Sequence, residues 1–251
     1  MINVLIFGAL GRMGKKVYDA VSASNNLKAV CGVDRVADTS NPSFPIYSNL
    51  SEVGEKVDVV IDFSSPLSLD GILDFCAKNN ARAVLCSTGY TEEHLNKIKK
   101  ASQNTALFRS ANMSLGVNVL IDLVKKASTA LNGFDIEIIE KHHNQKVDAP
   151  SGTALMLADA VKEQLPEKFF SYGREGMVGK RNPNEIGIHA IRGGNIVGDH
   201  DVLFAGISET ITLSHQATDR AVFAEGAVKA AEYIVTKNNG LFNMSDMING
   251  K

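Results

Sequence analysis

Met1-Ile2-Asn3-Val4-Leu5-Ile6-Phe7-Gly8-Ala9-Leu10-Gly11-Arg12-Met13-Gly14 decides the fold of this chain. A continuous β-type run breaks at spaced glycines, and residues from Lys15 to Ala23 are helical in character. Strand, glycine turn and helix in this order form the start of a dinucleotide-binding unit. Gly8 permits the tight turn, Gly11 lets the backbone approach a pyrophosphate, and Gly14 allows close packing of helix on strand. Leu10 stands at the middle glycine of the usual G-x-G-x-x-G, so the pattern is a G-x-x-G-x-x-G variant. Such turns also occur in flavin and other nucleotide folds, and some bind nothing. The next strand, Leu27 to Val33, ends at Asp34-Arg35, where an acidic residue about 20 positions beyond the glycines reads the adenosine ribose. Asp34 suits the 2'-hydroxyl of NADH and Arg35 the 2'-phosphate of NADPH, which leaves both cofactors open.

Outward from this start, strands and helices alternate. After a polar, proline-containing loop from Val36 to Ser43, Val57 to Phe63 reads as a strand buried on both faces, with Leu67 to Asn79 as its crossover helix. Ala83 to Ser87 is a strand, Glu92 to Ser102 a helix, and Thr105 to Arg109 a further strand. A ligand on an open parallel sheet lies across the carboxyl ends of the strands, so Ser64-Ser65, Ser87-Thr88-Gly89 and Ala111-Asn112-Met113 should border the cofactor. Cys86, at one of these tips, would be the nucleophile of an acylating aldehyde dehydrogenase; its apolar strand points instead to a buried, inert thiol.

From Ser114 the pattern changes. Leu115 to Leu131 is a long helix, Phe134 to Ile139 alternates like a strand, and Thr153 to Gln164 is helical. A loop-rich section from Pro166 to Glu185 follows, then strands at Ile186 to Arg192, Val202 to Ala205 and Glu209 to Ala217. The Ala-rich helix from Val222 to Lys237 returns to the first domain, and Gly240 opens a short tail. The fold class is thus α/β: a Rossmann-type doubly wound parallel sheet (1–113 and 221–251) plus a second α+β domain with an open mixed sheet (114–220). The second sheet has few covering helices, so another subunit is its expected cover.

Between the strand at Phe134 and the helix at Ala154 lies Glu140-Lys141-His142-His143-Asn144-Gln145-Lys146-Val147-Asp148-Ala149-Pro150-Ser151-Gly152-Thr153. This reads as a loop suited to anions and protons. Ser151, Gly152 and Thr153 would present backbone N–H groups at a helix start, where a carboxylate or phosphate is attracted. Histidine and a lysine shifted by its surroundings are suitable proton donors. An ordinary joint with solvated charges is the competing reading. His189, His200 and His215 read as structural or domain-contact residues.

Net charge is -2, which offers no polyanion surface, so no nucleic-acid partner is expected. No apolar run approaches the roughly 20 residues of a membrane helix, and no signal peptide is evident; the expected location is cytoplasmic. The three cysteines, Cys31, Cys76 and Cys86, sit in apolar settings that suit free thiols better than disulfides or a metal site.

Together, Gly8 to Gly14, Ile61 to Ser64, Ser87 to Gly89, Asn112 to Asn118, Glu140 to Ala154, Arg192 to His200 and Gly240 to Phe242 resemble the dihydrodipicolinate reductase family, in order and over essentially the whole chain. The resemblance implies reduction of a small cyclic unsaturated dicarboxylate by NADPH and/or NADH on the diaminopimelate route to lysine. By position it gives His142 and Lys146 the proton chemistry. His143, Gly152 and Thr153 would contact substrate carboxylates. Gly8, Ala9, Leu10, Gly11, Arg12, Met13, Asp34, Arg35, Cys86, Ser87, Thr88, Ser110, Ala111, Asn112 and Met113 would contact the cofactor. It also implies a homotetramer joined through the second sheet. Three positions depart from the family pattern: Leu10 and Cys86, where glycine is usual, and Met113, where phenylalanine is common.

Overall fold

Val4, Leu5 and Ile6 of the first strand are all buried, as befits a strand covered on both faces. The computed structural model describes residues 1–38 and 43–250; positions 39–42 of the expected proline-containing loop lie outside the described residues. The chain forms two compact units, Met1–Leu115 with the chain from Arg220 onward, and Gly116–Asp219.

The first unit runs β1 (Ile2–Phe7), α1 (Arg12–Ser22), β2 (Leu27–Val33), β3 (Ile46–Tyr47), β4 (Val59–Asp62), α2 (Leu69–Asn79), β5 (Arg82–Leu85), α3 (Glu92–Ala101) and β6 (Ala106–Arg109). The second contributes α4 (Leu115–Ala130), β7 (Asp135–His142), α5 (Gly152–Gln164), β8 (Phe169–Tyr172), β9 (Glu185–Arg192), β10 (Gly198–Ala205) and β11 (Thr210–Ala217). The chain then adds α6 (Ala221–Ile234), β12 (Gly240–Phe242) and α7 (Met244–Ile248) to the first unit.

The first sheet has the order β12-β6-β5-β4-β1-β2-β3, with every strand pair parallel. Alternate side chains feed two cores. Val4, Ile6, Val59 and Ile61 pack with Val17 of α1 and Ala227 of α6. Leu5, Val60 and Leu85 pack with Ile72 and Phe75 of α2 and Ile98 of α3. Helices on both faces bear out the doubly wound sheet. The order reverses between β2 and β4, on either side of β1, and this switch point is where such sheets bind ligands.

The second sheet has the order β11-β10-β7-β9-β8 and is mixed: β10 is antiparallel to β7 and β11, whereas β9 is parallel to β7 and β8. Ile136, Ile138, Ile186, Ile188, Val202 and Phe204 on one face pack on Val124 of α4 and Leu157 and Val161 of α5. Among the differences from the sequence expectation, the three larger ones in this unit concern its sheet. β8 lies inside the section expected to be loop-rich, β10 begins at Gly198 rather than Val202, and β7 continues past Ile139 through Glu140, Lys141 and His142. In the last two cases the extra residues are polar apart from Gly198, and their ladder partners keep them in the strand against the local pattern.

Candidate active site

In the first unit the turn after β1 is built mostly from backbone. Gly8 adopts a φ of 82°, and a Cβ on Gly14 would fall 2.2 Å from the Gly8 carbonyl oxygen. Helix α1 starts at Gly11 with no side-chain cap, so the N–H groups of Arg12 and Met13 belong to its first turn, where a helix has no carbonyl of its own to offer. Asp34 closes the turn: its carboxylate accepts from the Leu10 N–H at 2.8 Å and from the Arg35 N–H at 2.7 Å. Leu10, the departure from the glycine pattern, therefore presents its backbone inward while its side chain is exposed. A cavity of 630 Å³ opens here, lined by Gly8, Gly11, Asp34, Arg35, Ser64 and Ser68 among others. Open glycine backbone, an uncapped helix start and a carboxylate beside a guanidinium fit the pyrophosphate and ribose of a nicotinamide dinucleotide.

The other expected cofactor contacts divide by what they expose. Ala9 is buried, and Met13 packs partly against the same core. Thr88 and Ala111 are exposed at their loop tips. Cys86 turns into the core, where burial pushes its thiol well above the usual range, and Met113 is buried beside it. A buried thiol of this kind does not suit an acylating nucleophile, and with both side chains buried a cofactor would meet mainly the backbone at Cys86 and Met113. Ser110 donates to the Asn112 carbonyl at 2.6 Å, and the Asn112 side chain accepts from the Ser114 N–H at 2.9 Å, which fixes that turn internally.

Asp62, inside the expected Val57 to Phe63 strand and given no role of its own there, organises the strand tips. Fully buried at the end of β4, it accepts from the Ser64 N–H at 2.9 Å and from the Ser87 hydroxyl at 2.8 Å. Burial raises its carboxyl above the ordinary range, and these donors pull it partly back. Its signal in the sequence is a charged residue inside a doubly buried strand, which persists only with partners.

In the second unit the covered sheet face changes character along its length. Beyond the apolar half, the same face carries Glu140 and His142 of β7, Arg192 of β9 and His200 of β10. His142 Nδ1 lies 2.6 Å from Glu140 Oε2. A carboxylate only accepts, so Nδ1 carries the hydrogen and Nε2 is left for proton exchange. Nε2 faces Gly198, where a Cβ would approach to 3.0 Å. The ring of His200 meets that of His142 edge-on at 5.2 Å, and its Nε2 lies 3.0 Å from Ser151 Oγ. Burial, reinforced by His142, lowers His200 to about 4. Ser151 also caps α5, accepting from the Ala154 N–H at 3.2 Å.

Gly152 and Thr153 begin α5 with Gly152 exposed and Thr153 partly so. Lys146 pairs with Asp148 at 2.9 Å, holding the aspartate below its usual range. His143, beyond the end of β7, is partly buried. The stretch from Glu140 to Thr153 is therefore not one loop: its first three residues belong to a strand end, its last two to a helix, and the Ser151 N–H at the helix start meets Glu140 of that strand. His200, expected to be structural, lies inside the cluster. His189 does not; it pairs with Glu137 at 2.8 Å on the opposite sheet face, among Arg174 and Arg181. Among the described residues no His, Cys, Asp and Glu cluster could hold a metal ion.

A doubly wound sheet with a dinucleotide-fit turn, joined to a unit carrying a buried histidine beside a helix start, defines a nicotinamide-dependent oxidoreductase. Residues 2–113 match the model of the dihydrodipicolinate reductase N-terminus and residues 116–248 that of its C-terminus. The 4-hydroxy-tetrahydrodipicolinate reductase of Caldanaerobacter subterraneus subsp. tengcongensis is 51% identical over 99% of this chain and 98% of its own. That of Clostridium tetani is 50% identical over the same shares. A dipicolinate-bound dihydrodipicolinate reductase from Paenisporosarcina sp. TG-14 superposes with a TM-score of 0.82 at 27% identity, covering 97% of each chain. The chain belongs to the dihydrodipicolinate reductase family and is an NADH- or NADPH-dependent enzyme of the diaminopimelate route to lysine.

Proposed function

We propose that the chain reduces dihydrodipicolinate, formed from 4-hydroxy-tetrahydrodipicolinate, to tetrahydrodipicolinate, with His142 as proton donor. The observation that carries this reading is the His142 ring, whose Nδ1 is committed to Glu140 while Nε2 faces the side-chain-free position of Gly198. A nicotinamide dinucleotide held at the Gly8 to Gly14 turn would supply the hydride. Its arrival on a conjugated C=C–C=N system leaves negative charge that a nearby acid must quench, and histidine is matched to that task near neutral pH. Lys146, held by Asp148, is the second proton donor. His143 and the Gly152-Thr153 start of α5 hold the two substrate carboxylates through positive charge and backbone N–H groups. Gly8 to Met13, Asp34, Arg35, the backbone at Cys86 to Thr88, and Ser110 to Met113 hold the cofactor.

The 1–113 with 221–251 part thus serves the cofactor, and 114–220 serves the substrate and assembly. The assembly is a homotetramer through the outer face of the second sheet, where Ile191 is exposed. The enzyme works in the cytoplasm, in keeping with three buried, unpaired thiols.

The test is a coupled assay with purified protein and freshly generated dihydrodipicolinate. Substrate-dependent oxidation of NADPH or NADH is expected. Cofactor binding without turnover would instead mark a silent nucleotide-binding protein. Light scattering on the same sample should give a four-chain mass.

A further inference from the structure

We infer that Glu140 and Arg192 are the positioning pair of this site: one buried carboxylate, clamped by one guanidinium, fixes both the His142 ring and the start of α5. The inference rests on the reading of His142 as proton donor.

Glu140 is fully buried and receives four donors. Arg192 Nη1 and His142 Nδ1 reach Oε2 at 2.8 and 2.6 Å; Arg192 Nη2 and the Ser151 N–H reach Oε1 at 2.8 and 2.9 Å. Each oxygen thus accepts two hydrogen bonds, about the capacity of a carboxylate. Nothing is left for a substrate, so Glu140 acts through its neighbours. Burial alone would raise its carboxyl; Arg192, His142 and Ser151 outweigh that and hold it below the ordinary range. It is therefore a charged acceptor, and it dictates which His142 nitrogen carries the resting hydrogen.

Arg192 extends the clamp. Its Nη2 also donates to the Asp148 carbonyl at 2.7 Å, and the Asp148 side chain holds Lys146 at 2.9 Å. Lys146, Asp148, Arg192, Glu140 and His142 form one connected series. The two proton donors and the carboxylate-holding turn are set by the same buried charge. The forked bidentate geometry is specific to arginine, because lysine offers a point charge and cannot bridge both oxygens and the loop carbonyl together.

The test uses Glu140→Gln and Arg192→Lys in the full-length enzyme, with His142→Gln as reference. Three quantities are read: kcat, KM for dihydrodipicolinate, and the His142 tautomer from imidazole 15N shifts. The native enzyme should show Nδ1–H. Glu140→Gln should mix the tautomers, lower kcat on the order of 100-fold, as expected for a disabled acid, and raise KM only a few-fold. Arg192→Lys should fall between, because charge is kept and the fork is lost. Unchanged tautomer with kcat within about threefold of native in Glu140→Gln would overturn the inference. If His142→Gln retains turnover, the proton-donor reading fails, whereas the tautomer comparison still decides whether Glu140 orients the ring. Should Glu140→Gln not fold, the double variant Glu140→Gln, Arg192→Gln leaves no unpaired buried charge and is read in the same way.

Discussion

The two sites of this molecule are made of different material. Around Gly8 to Gly14 the working groups are backbone N–H and carbonyl groups, and what matters is the side chains that are absent. At the polar end of the second sheet the working groups are side chains from four separated segments: Glu140 and His142, Ser151, Arg192, and His200. The first kind of site tolerates no added bulk. The second tolerates no lost partner. Substitutions in the two places should consequently fail in different ways, by steric exclusion and cofactor loss in one, by loss of chemistry or of charge balance in the other.

The largest effect is expected at His142. His142→Gln keeps a hydrogen-bonding side chain near Glu140 and removes the transferable proton, so kcat should fall about 1000-fold with KM changed only a few-fold. Steady-state kinetics of the purified variant decide it. Near-native turnover would refute the assignment and reduce the polar cluster to a structural feature.

Next in size is the pH dependence that His200 gives to folding. Burial and the nearby His142 lower its folded value to about 4, opposed in part by Glu140, whereas an unfolded histidine titrates near 6.5. Between these values the unfolded chain binds more protons, so stability rises with pH through this window and is lost as pH falls from about 6.5 towards 4. One such group contributes about 3 kcal/mol. Replacement by asparagine should flatten the curve of unfolding free energy over that window by this amount. A curve parallel to the native one would show that His200 takes up its proton in the folded state as easily as in the unfolded chain.

Gly14 tests the other kind of site. Its added Cβ would meet backbone atoms of both Gly8 and Ala9, at 2.2 and 2.6 Å, and backbone cannot swing aside as a side chain would. Gly14→Ala should therefore cost about 2 kcal/mol of stability and weaken NADH and NADPH alike, because the whole turn shifts. Thermal unfolding and cofactor titration would show it. Loss of stability without loss of cofactor affinity would separate the packing of α1 from the shape of the turn.

This contrast in material also explains what was legible in the sequence. The backbone site sits in neighbouring residues, so the glycine spacing and Asp34 reveal it directly, along with the alternating sheet that carries it. The side-chain site depends on register. Glu140 faces His200 across one ladder and His142 faces Arg192 across another, pairings between residues 50 to 60 positions apart that no local pattern encodes. Polar residues at the ends of β7 and β10 also break the apolar alternation, which shortened both expected strands and left Glu140 in a loop and His200 among the structural histidines. Asp62 escaped for the same reason: its hydroxyl donor Ser87 comes from another strand tip. The family resemblance supplied His142 and Lys146 by position. It did not supply the partners that hold them.

A smaller effect is expected at Thr153 in the first turn of α5. Thr153→Val removes the hydroxyl and retains the backbone N–H and the helix start. KM for dihydrodipicolinate should rise about tenfold with kcat little changed, equivalent to roughly 1.4 kcal/mol of uniform binding. A matching fall in kcat would place Thr153 with the proton chemistry instead.

The smallest effect is expected at Asp34, where the two kinds of material meet, because a side chain there braces a backbone turn. Its carboxylate is shared between the Leu10 and Arg35 N–H groups and keeps lone pairs for ribose hydroxyls. A 2'-phosphate would gain from Arg35 and suffer repulsion from Asp34, so neither cofactor is wholly favoured and the native enzyme should use both. A preference above roughly 1000-fold, or about 4 kcal/mol, would show that one of the two residues dominates. Asp34→Ala removes an acceptor from the ribose of NADH and a repulsive charge from the phosphate of NADPH. The ratio of kcat/KM values should move towards NADPH about fivefold, roughly 1 kcal/mol. An equal loss with both cofactors would mean that the bond to the Leu10 N–H, and hence the shape of the turn, is what Asp34 contributes.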